Sequence, residues 1–136
     1  MRLDDVEARR RFANARVARL ATVDEAGRPH IVPVVFVVIE QHIYSAVDAK
    51  PKTTKALRRL ANISANPRVS LLTDHYADGD WDALWWVRAD GEARVIAPDA
   101  PEAEAAVDGL IGRYSQYREH RPDGPVLAVA VRRWRG

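Results

Sequence analysis

Residues 29–39 constrain the fold of this chain more than any other part of the sequence. After His30 the stretch holds only apolar residues, most of them β-branched. Branching at Cβ favours extended backbone, and an unbroken apolar run of this kind indicates a strand buried on both faces. Pro33 cannot donate to a β-ladder, so we expect a bulge or a locally unpaired edge at that position.

Shorter apolar segments predict further strands at residues 17–23, 42–47, 68–73, 83–96 and 125–134. Gly27 suits the positive φ of a hairpin loop, and Asp90-Gly91 predicts a bulge in the longest strand. Three helices interrupt the series, at residues 3–15, from about Pro51 to before Asn66, and at residues 98–117. This order indicates a mainly β fold, an antiparallel barrel with flanking helices, and not a doubly wound parallel sheet.

The length and charge of the chain exclude several classes of protein. Its 136 residues fit one domain, residues 1–136, and the absence of cysteine excludes disulfide scaffolds, zinc fingers and thiol nucleophiles. The formal net charge of +2 argues against nucleic-acid binding, and no apolar run is long enough to cross a membrane. The acidic residues near the N-terminus do not fit a signal peptide. We therefore expect a soluble, cytoplasmic protein that binds neither nucleic acid nor membrane.

A basic segment, Lys50-Pro51-Lys52-Thr53, lies between a predicted strand and the start of the second predicted helix. Unpaired backbone N–H groups and the helix dipole favour an anion at such a position, and lysine and threonine side chains add donors. A solvated basic helix face is the alternative interpretation. Cations at a helix start oppose the dipole, which favours a phosphate site.

Other catalytic signatures are missing from the sequence. The four histidines have no metal-ligand spacing, so we predict no metal site. Neither a P-loop, a G-x-G-x-x-G fingerprint nor a G-x-S-x-G elbow occurs. The sequence therefore does not indicate an enzyme that performs acid–base chemistry with its own side chains alone.

Two adjacent tryptophans, Trp85 and Trp86, occur in the longest predicted strand. Successive side chains of a strand point to opposite faces, so only one of the two rings can fill the barrel core. The other ring is expected to face a partner subunit, a helix or a ligand.

Together these features resemble the split β-barrel flavin and deazaflavin oxidoreductases, the pyridoxamine-phosphate-oxidase-like superfamily, and within it the branch that uses coenzyme F420. The resemblance covers nearly the whole chain and is carried by residues 18–23, 27–30, 50–53, 57–60, 66–72 and 91–93. Each motif is weak alone, and their order and spacing make the match specific.

The resemblance implies a homodimer that holds its cofactor in a groove between two barrels. For the phosphate group it implies Lys50, Lys52 and Thr53, and along the tricyclic ring His30, Ile31, Val32 and Pro33. Either Trp85 or Trp86 would line the groove from the other subunit. No catalytic side chain is assigned, because a reduced deazaflavin itself carries the hydride.

The implied function is an F420-dependent oxidoreductase that transfers a hydride between the reduced deazaflavin and a small conjugated substrate. Three alternatives remain open on the sequence. The same fold could use FMN as an oxidase or reductase, or bind F420 without turnover, or present its lysines to an acidic partner.

Overall fold

The computed structural model describes residues 2–47 and 54–136, and for residues 54–57 it describes the backbone. Its helices are α1 Asp5–Asn14, α2 Thr54–Ala65, α3 Pro101–Arg113 and α4 Ser115–Glu119, with a short 3-10 turn at Trp81–Ala83. Its strands are β1 Ala18–Val23, β2 Pro29–Val34, β3 Val37–Ile39, β4 His42–Ala46, β5 Arg68–His75, β6 Trp85–Ile96 and β7 Val126–Arg135.

The seven strands form one antiparallel sheet in the order β2-β1-β5-β6-β7-β4-β3. A flat sheet of this size would hold its two edge strands about 29 Å apart. Only Val35 and Phe36 separate those edge strands along the chain, and three Cα–Cα steps span at most about 11 Å. The sheet must therefore curl until its edges approach one another, and the prediction of an antiparallel barrel with flanking helices is confirmed.

Residues 29–39 depart from the prediction of one strand buried on both faces. The stretch is divided between β2 and β3, and Ile31 is 64% exposed. Pro33 causes no bulge, because β2 pairs with β1 in unbroken register from residue 29 to residue 34. The proline is accommodated because β2 is an edge strand, where its nitrogen does not need a ladder partner. Of the two expectations for Pro33, a bulge or an unpaired edge, the second is the one observed.

The predicted bulge in the long strand is confirmed. The register between β6 and β7 shifts between Asp90 and Gly91. A Cβ atom on Gly91 would lie 2.2 Å from the carbonyl oxygen of Ala130, so the close backbone approach requires glycine. The helix predicted at residues 98–117 is instead two helices, because the backbone of Tyr114 is extended between α3 and α4.

Two hydrophobic clusters lie on opposite faces of the curled sheet. The inner cluster contains an aromatic group in which Phe12 lies 4.9 Å from Phe36 and 5.4 Å from Trp134, measured between ring centroids. The outer cluster lies where α3 packs Val107 and Leu110 against β4 and β7. Each such side chain contributes about 1.5–3 kcal/mol when buried.

The connection between the two edge strands is held by the end of α3. The hydroxyl of Tyr114 accepts from the backbone N–H of Phe36 at 3.3 Å. The same hydroxyl lies 2.9 Å from the carbonyl oxygen of Arg16 and 3.1 Å from that of Phe36, and it can donate a hydrogen bond to either. The guanidinium of Arg113 donates to the carbonyls of Ala13 and Ala15 and lies over the ring of Phe36. These contacts join α1, β1, α3 and the β2–β3 connection.

We predict that Tyr114→Phe lowers the free energy of unfolding by about 1–3 kcal/mol, because it leaves the buried N–H of Phe36 without its partner. Urea denaturation followed by far-UV circular dichroism would measure the change. Tyr76→Phe is the matched control, since Tyr76 is 63% exposed and its hydroxyl donates to the exposed carboxylate of Asp78. Equal stability of the two variants would contradict this role of Tyr114.

Candidate functional site

Alternate residues of β2 point to two different sides of the sheet. Val32 and Val34 pack against the inner cluster, and the Nδ1 atom of His30 is buried on the same side. Ile31 and Pro33 are exposed on the outward side. The four residues expected along one tricyclic ring are therefore divided into an inward pair, His30 and Val32, and an outward pair, Ile31 and Pro33.

The free edge of β2 offers one backbone donor. The N–H of Asp24 donates to the carbonyl of Arg28 at 2.9 Å, and every second pair of an antiparallel ladder exchanges hydrogen bonds in this way. The β1–β2 register continues this alternation along the strand, so the N–H groups of His30, Val32 and Val34 point towards β1. The backbone nitrogens turned away from β1 belong to Pro29, Ile31 and Pro33. Within β2, which the structure describes completely, Ile31 is therefore the only residue with an N–H at the free edge.

The outward face continues from β2 across β1, β5 and β6. One row of cross-strand neighbours runs from Ile31 through Ala21 and Ser70 to Asp90. Leu72 and Trp86 add apolar surface to this face and are 37% and 48% exposed. Two strands separate β2 from β6, which places Trp86 about 14 Å from β2 in the same chain.

Trp85 and Trp86 lie on opposite faces, as the alternation of strand residues predicts. Trp85 packs against the inner cluster, with the guanidinium of Arg11 5.7 Å from its ring centre and the ring of His75 stacked at 6.3 Å. Of the two tryptophans, Trp86 is the one whose ring is presented to the surroundings.

A polar cluster at the centre of the outward face was missed by the sequence analysis. The carboxylate of Asp90 accepts from the hydroxyl of Ser70 at 2.7 Å, from Arg88 Nε at 2.9 Å and from Arg133 Nε at 3.4 Å. A groove of about 630 Å³ runs beside it. Burial raises the pKa of Asp90, but the hydrogen bonds from Ser70 and Arg88 and the nearby arginine charges outweigh it, so the pKa is lowered overall.

The predicted phosphate-binding residues Lys50, Lys52 and Thr53 lie outside the described residues. Among the residues that are described, no group of three or more histidine, aspartate or glutamate side chains is arranged to hold a metal ion. In the same part of the chain, no helix has both the length and the apolar character that crossing a membrane would require.

We predict that Asp90→Asn lowers the free energy of unfolding by about 1 kcal/mol at neutral pH, because the arginines lose a charged acceptor. Since the folded-state pKa of Asp90 is lowered, its contribution is present above the ordinary value of 3.8 and is lost as the pH falls through the folded-state pKa. The difference between wild type and variant should therefore shrink on acidification. Urea titrations at neutral and acidic pH would measure it.

Asp123→Asn is the matched control, because Asp123 is exposed and lies on a different part of the surface. A difference between wild type and Asp90→Asn that stays constant with pH would contradict the stabilising role of the Asp90 carboxylate.

Comparison with solved structures shows a fold shared with proteins of low sequence identity. An FAD-binding protein from Mesorhizobium loti superposes with a TM-score of 0.73 at 20% identity, over 99% of this chain and 94% of that one. A conserved hypothetical protein from Mycobacterium tuberculosis gives 0.74 at 22% identity, over 97% and 82% of the two chains. The heme storage protein HutZ from Vibrio cholerae gives 0.73 at 18% identity, over 95% and 90%.

No curated protein sequence matches the chain. The family model described as pyridoxamine 5'-phosphate oxidase matches residues 5–136, which is nearly the whole sequence. The fold of this chain is the split β-barrel expected from the resemblance, with seven antiparallel strands and flanking helices. The chain belongs to the pyridoxamine 5'-phosphate oxidase family.

Proposed function

We propose that this protein is an oxidoreductase that binds a flavin-type cofactor against the outward side and free edge of β2, and that the cofactor is coenzyme F420. The observation that carries the proposal is the isolated N–H of Ile31, which lies between two prolines on an exposed strand edge. Family membership and the FAD-binding relative of the same fold support a cofactor of the flavin type.

The residues at this edge fit a flat ring that has hydrogen-bond acceptors on its rim. The side chains of Ile31 and Pro33 offer an apolar surface for the ring face, and the Ile31 N–H offers a donor for one acceptor. Because Pro29 and Pro33 have no N–H, an acceptor has one position to occupy along this edge, which would fix the ring in one register. When bound, such a cofactor supplies the hydride chemistry, while the chain binds the ring, orients it and limits its contact with water.

A heme is less well suited to this face. Heme iron requires an axial ligand such as histidine, cysteine, methionine or tyrosine. In the described chain, the outward side chains of β1, β2, β5 and β6 include none of these, because His30 and His75 point to the other side of the sheet.

The choice of F420 over FMN follows the sequence resemblance to the F420-using branch, in which the basic segment before α2 matches the phosphate-binding stretch. Lys50, Lys52 and Thr53 would provide donors for the phosphate of the cofactor. FMN is the alternative cofactor, supported by the FAD-binding relative, and would use the same ring contacts on β2.

We predict that Ile31→Pro weakens F420 binding about fivefold more than Ile31→Ala, because both variants lose the side chain but only the proline removes the N–H. The edge position makes the proline tolerable, since no ladder hydrogen bond depends on this nitrogen. Titration of the wild type and both variants with F420, and separately with FMN, followed by tryptophan fluorescence quenching, would measure the affinities.

Equal affinities of Ile31→Pro and Ile31→Ala would contradict ring binding at this edge. Tighter binding of FMN than of F420 by the wild type would replace F420 with FMN as the cofactor. Oxidation of reduced F420 with enones, quinones or nitro compounds tests turnover. Saturable binding without any such oxidation would identify a cofactor-binding protein and not an enzyme.

We further propose that the functional unit is a homodimer formed through the outward face of the sheet. Ile31, Leu72 and Trp86 expose apolar surface there, and large exposed apolar side chains on one face favour an interface. A second copy would bring a partner's tryptophan to a β2 strand that Trp86 of the same chain is too distant to contact.

We predict that Trp86→Lys converts the dimer to a monomer, because it places a charge in the apolar part of the interface. Sedimentation velocity would measure the change in mass. Trp81→Lys is the matched control, since Trp81 is 73% exposed but belongs to the 3-10 turn outside the sheet. A wild type that sediments as a monomer, or a Trp86→Lys variant that stays dimeric, would show that this face does not form the dimer.

A further inference from the structure

The groove of about 630 Å³ on the outward face lies beside the proposed cofactor edge. Its lining includes Pro29, the first residue of β2, and Ala21, which is the register partner of Ile31 on β1. Adjacent strands lie about 5 Å apart, so the groove starts one strand away from the N–H that the proposed cofactor uses. A molecule bound in the groove would therefore lie next to the cofactor ring.

The end of the groove nearest β2 is apolar. Ala21, Val23 and Pro29 line this end, and the first polar side chain beyond them is that of Ser70 on β5. Small-molecule sites commonly combine an apolar wall with a few polar groups that fix the orientation of the ligand. A flat conjugated body suits this part of the groove.

The charged residues at the other end leave one cation available to a ligand. Arg133 lies 3.4 Å from the carboxylate of Asp90, and Arg132 lies 3.7 Å from that of Glu92. Both acidic side chains that line the groove are therefore engaged. Arg68 also lines the groove and is the register partner of Glu92, but its exposed side chain makes no ion pair within the described part of the chain.

The spacing within the sheet suits a small ligand that reaches both ends. Arg68 lies two strands and two residues from Ile31, which separates their Cα atoms by about 12 Å along the sheet. The long arginine side chain can cover part of this distance. One small molecule can therefore contact the guanidinium with a charged group and keep its conjugated body beside the cofactor edge.

We propose that this groove binds the substrate of the proposed oxidoreductase, and that the substrate is a conjugated carboxylic acid whose carboxylate accepts hydrogen bonds from the guanidinium of Arg68. The proposal rests on the cofactor position proposed above. A carboxylate fits a single arginine, because the planar guanidinium matches its two oxygens and one negative charge balances the one unpaired cation. A second copy on the outward face would cover the groove and strengthen this ion pair by shielding it from water.

The experiment begins with a titration of the full chain, without cofactor, with trans-cinnamate and separately with its methyl ester. The ester has the same conjugated body but no charge. Two-dimensional ¹H–¹⁵N spectra would report the backbone amides of Arg68, Ser70 and Gly91. We expect saturable shifts with cinnamate and a dissociation constant at least about tenfold larger for the ester. Equal affinities for acid and ester, or no binding of cinnamate, would overturn the proposal.

Arg68→Gln should weaken the binding of cinnamate at least about tenfold and leave the binding of the methyl ester unchanged, because only the acid uses the charge. The side chain of Arg68 is exposed, so this variant is expected to fold. Arg19→Gln is the matched control, since Arg19 is an exposed arginine of the same face that does not line the groove. An equal loss in the two variants would show a general effect of positive charge and overturn the assignment to Arg68.

Turnover separates this proposal from the proposed function. In the chain loaded with reduced F420, Arg68→Gln should raise the KM for cinnamate at least about tenfold with little change in kcat, because the contact holds substrate and transition state alike. An unchanged KM would overturn the proposal. Failure of the wild type to bind F420 or FMN would refute the proposed function, whereas cofactor binding without cinnamate binding would overturn this proposal alone.

Discussion

The connection between β2 and β3 is the constraint on which the rest of the structure depends. It joins the two edge strands of a seven-stranded sheet through only Val35 and Phe36, which forces the sheet to curl. The ring of Phe36 fills the interior beside Phe12, and the hydroxyl of Tyr114 satisfies its buried N–H. Loss of that contact would leave an unpaired polar group at the point where the barrel closes. One helix end therefore stabilises both the closure of the sheet and the position of β2.

Closure gives β2 its two environments. The curled sheet turns one side of the strand towards α2 and the inner cluster and leaves the other side and the edge accessible. Ile31 and Pro33 thus belong to an apolar outward surface, while His30 belongs to a polar cavity on the inward side. The two sides of the strand differ in chemistry for this reason, since one offers an apolar surface with a single backbone donor and the other is lined by polar side chains.

Local sequence signals predicted those features that depend on neighbouring residues. The bulge at Asp90-Gly91 and the opposite orientation of Trp85 and Trp86 follow from glycine chemistry and from the two-residue period of a strand. The division of residues 29–39 could not be predicted in this way, because uniform apolar character gives no period from which to locate a break. The Asp90 cluster was missed for a different reason. Arg88 lies two residues from Asp90 on the same strand, but Ser70 and Arg133 meet Asp90 only through the register of β5 and β7 with β6.

The sequence by itself determined an antiparallel barrel with flanking helices. Turn residues and strand periodicity indicate each element, because both depend on a few neighbouring positions. The sequence also determined that Pro29 and Pro33 flank a residue that retains its N–H. Only the tertiary structure decided that this N–H lies on a free edge and that His30 faces a cavity under α2. Those positions depend on strand order and on how the sheet closes, and both are set by contacts between residues distant in the chain.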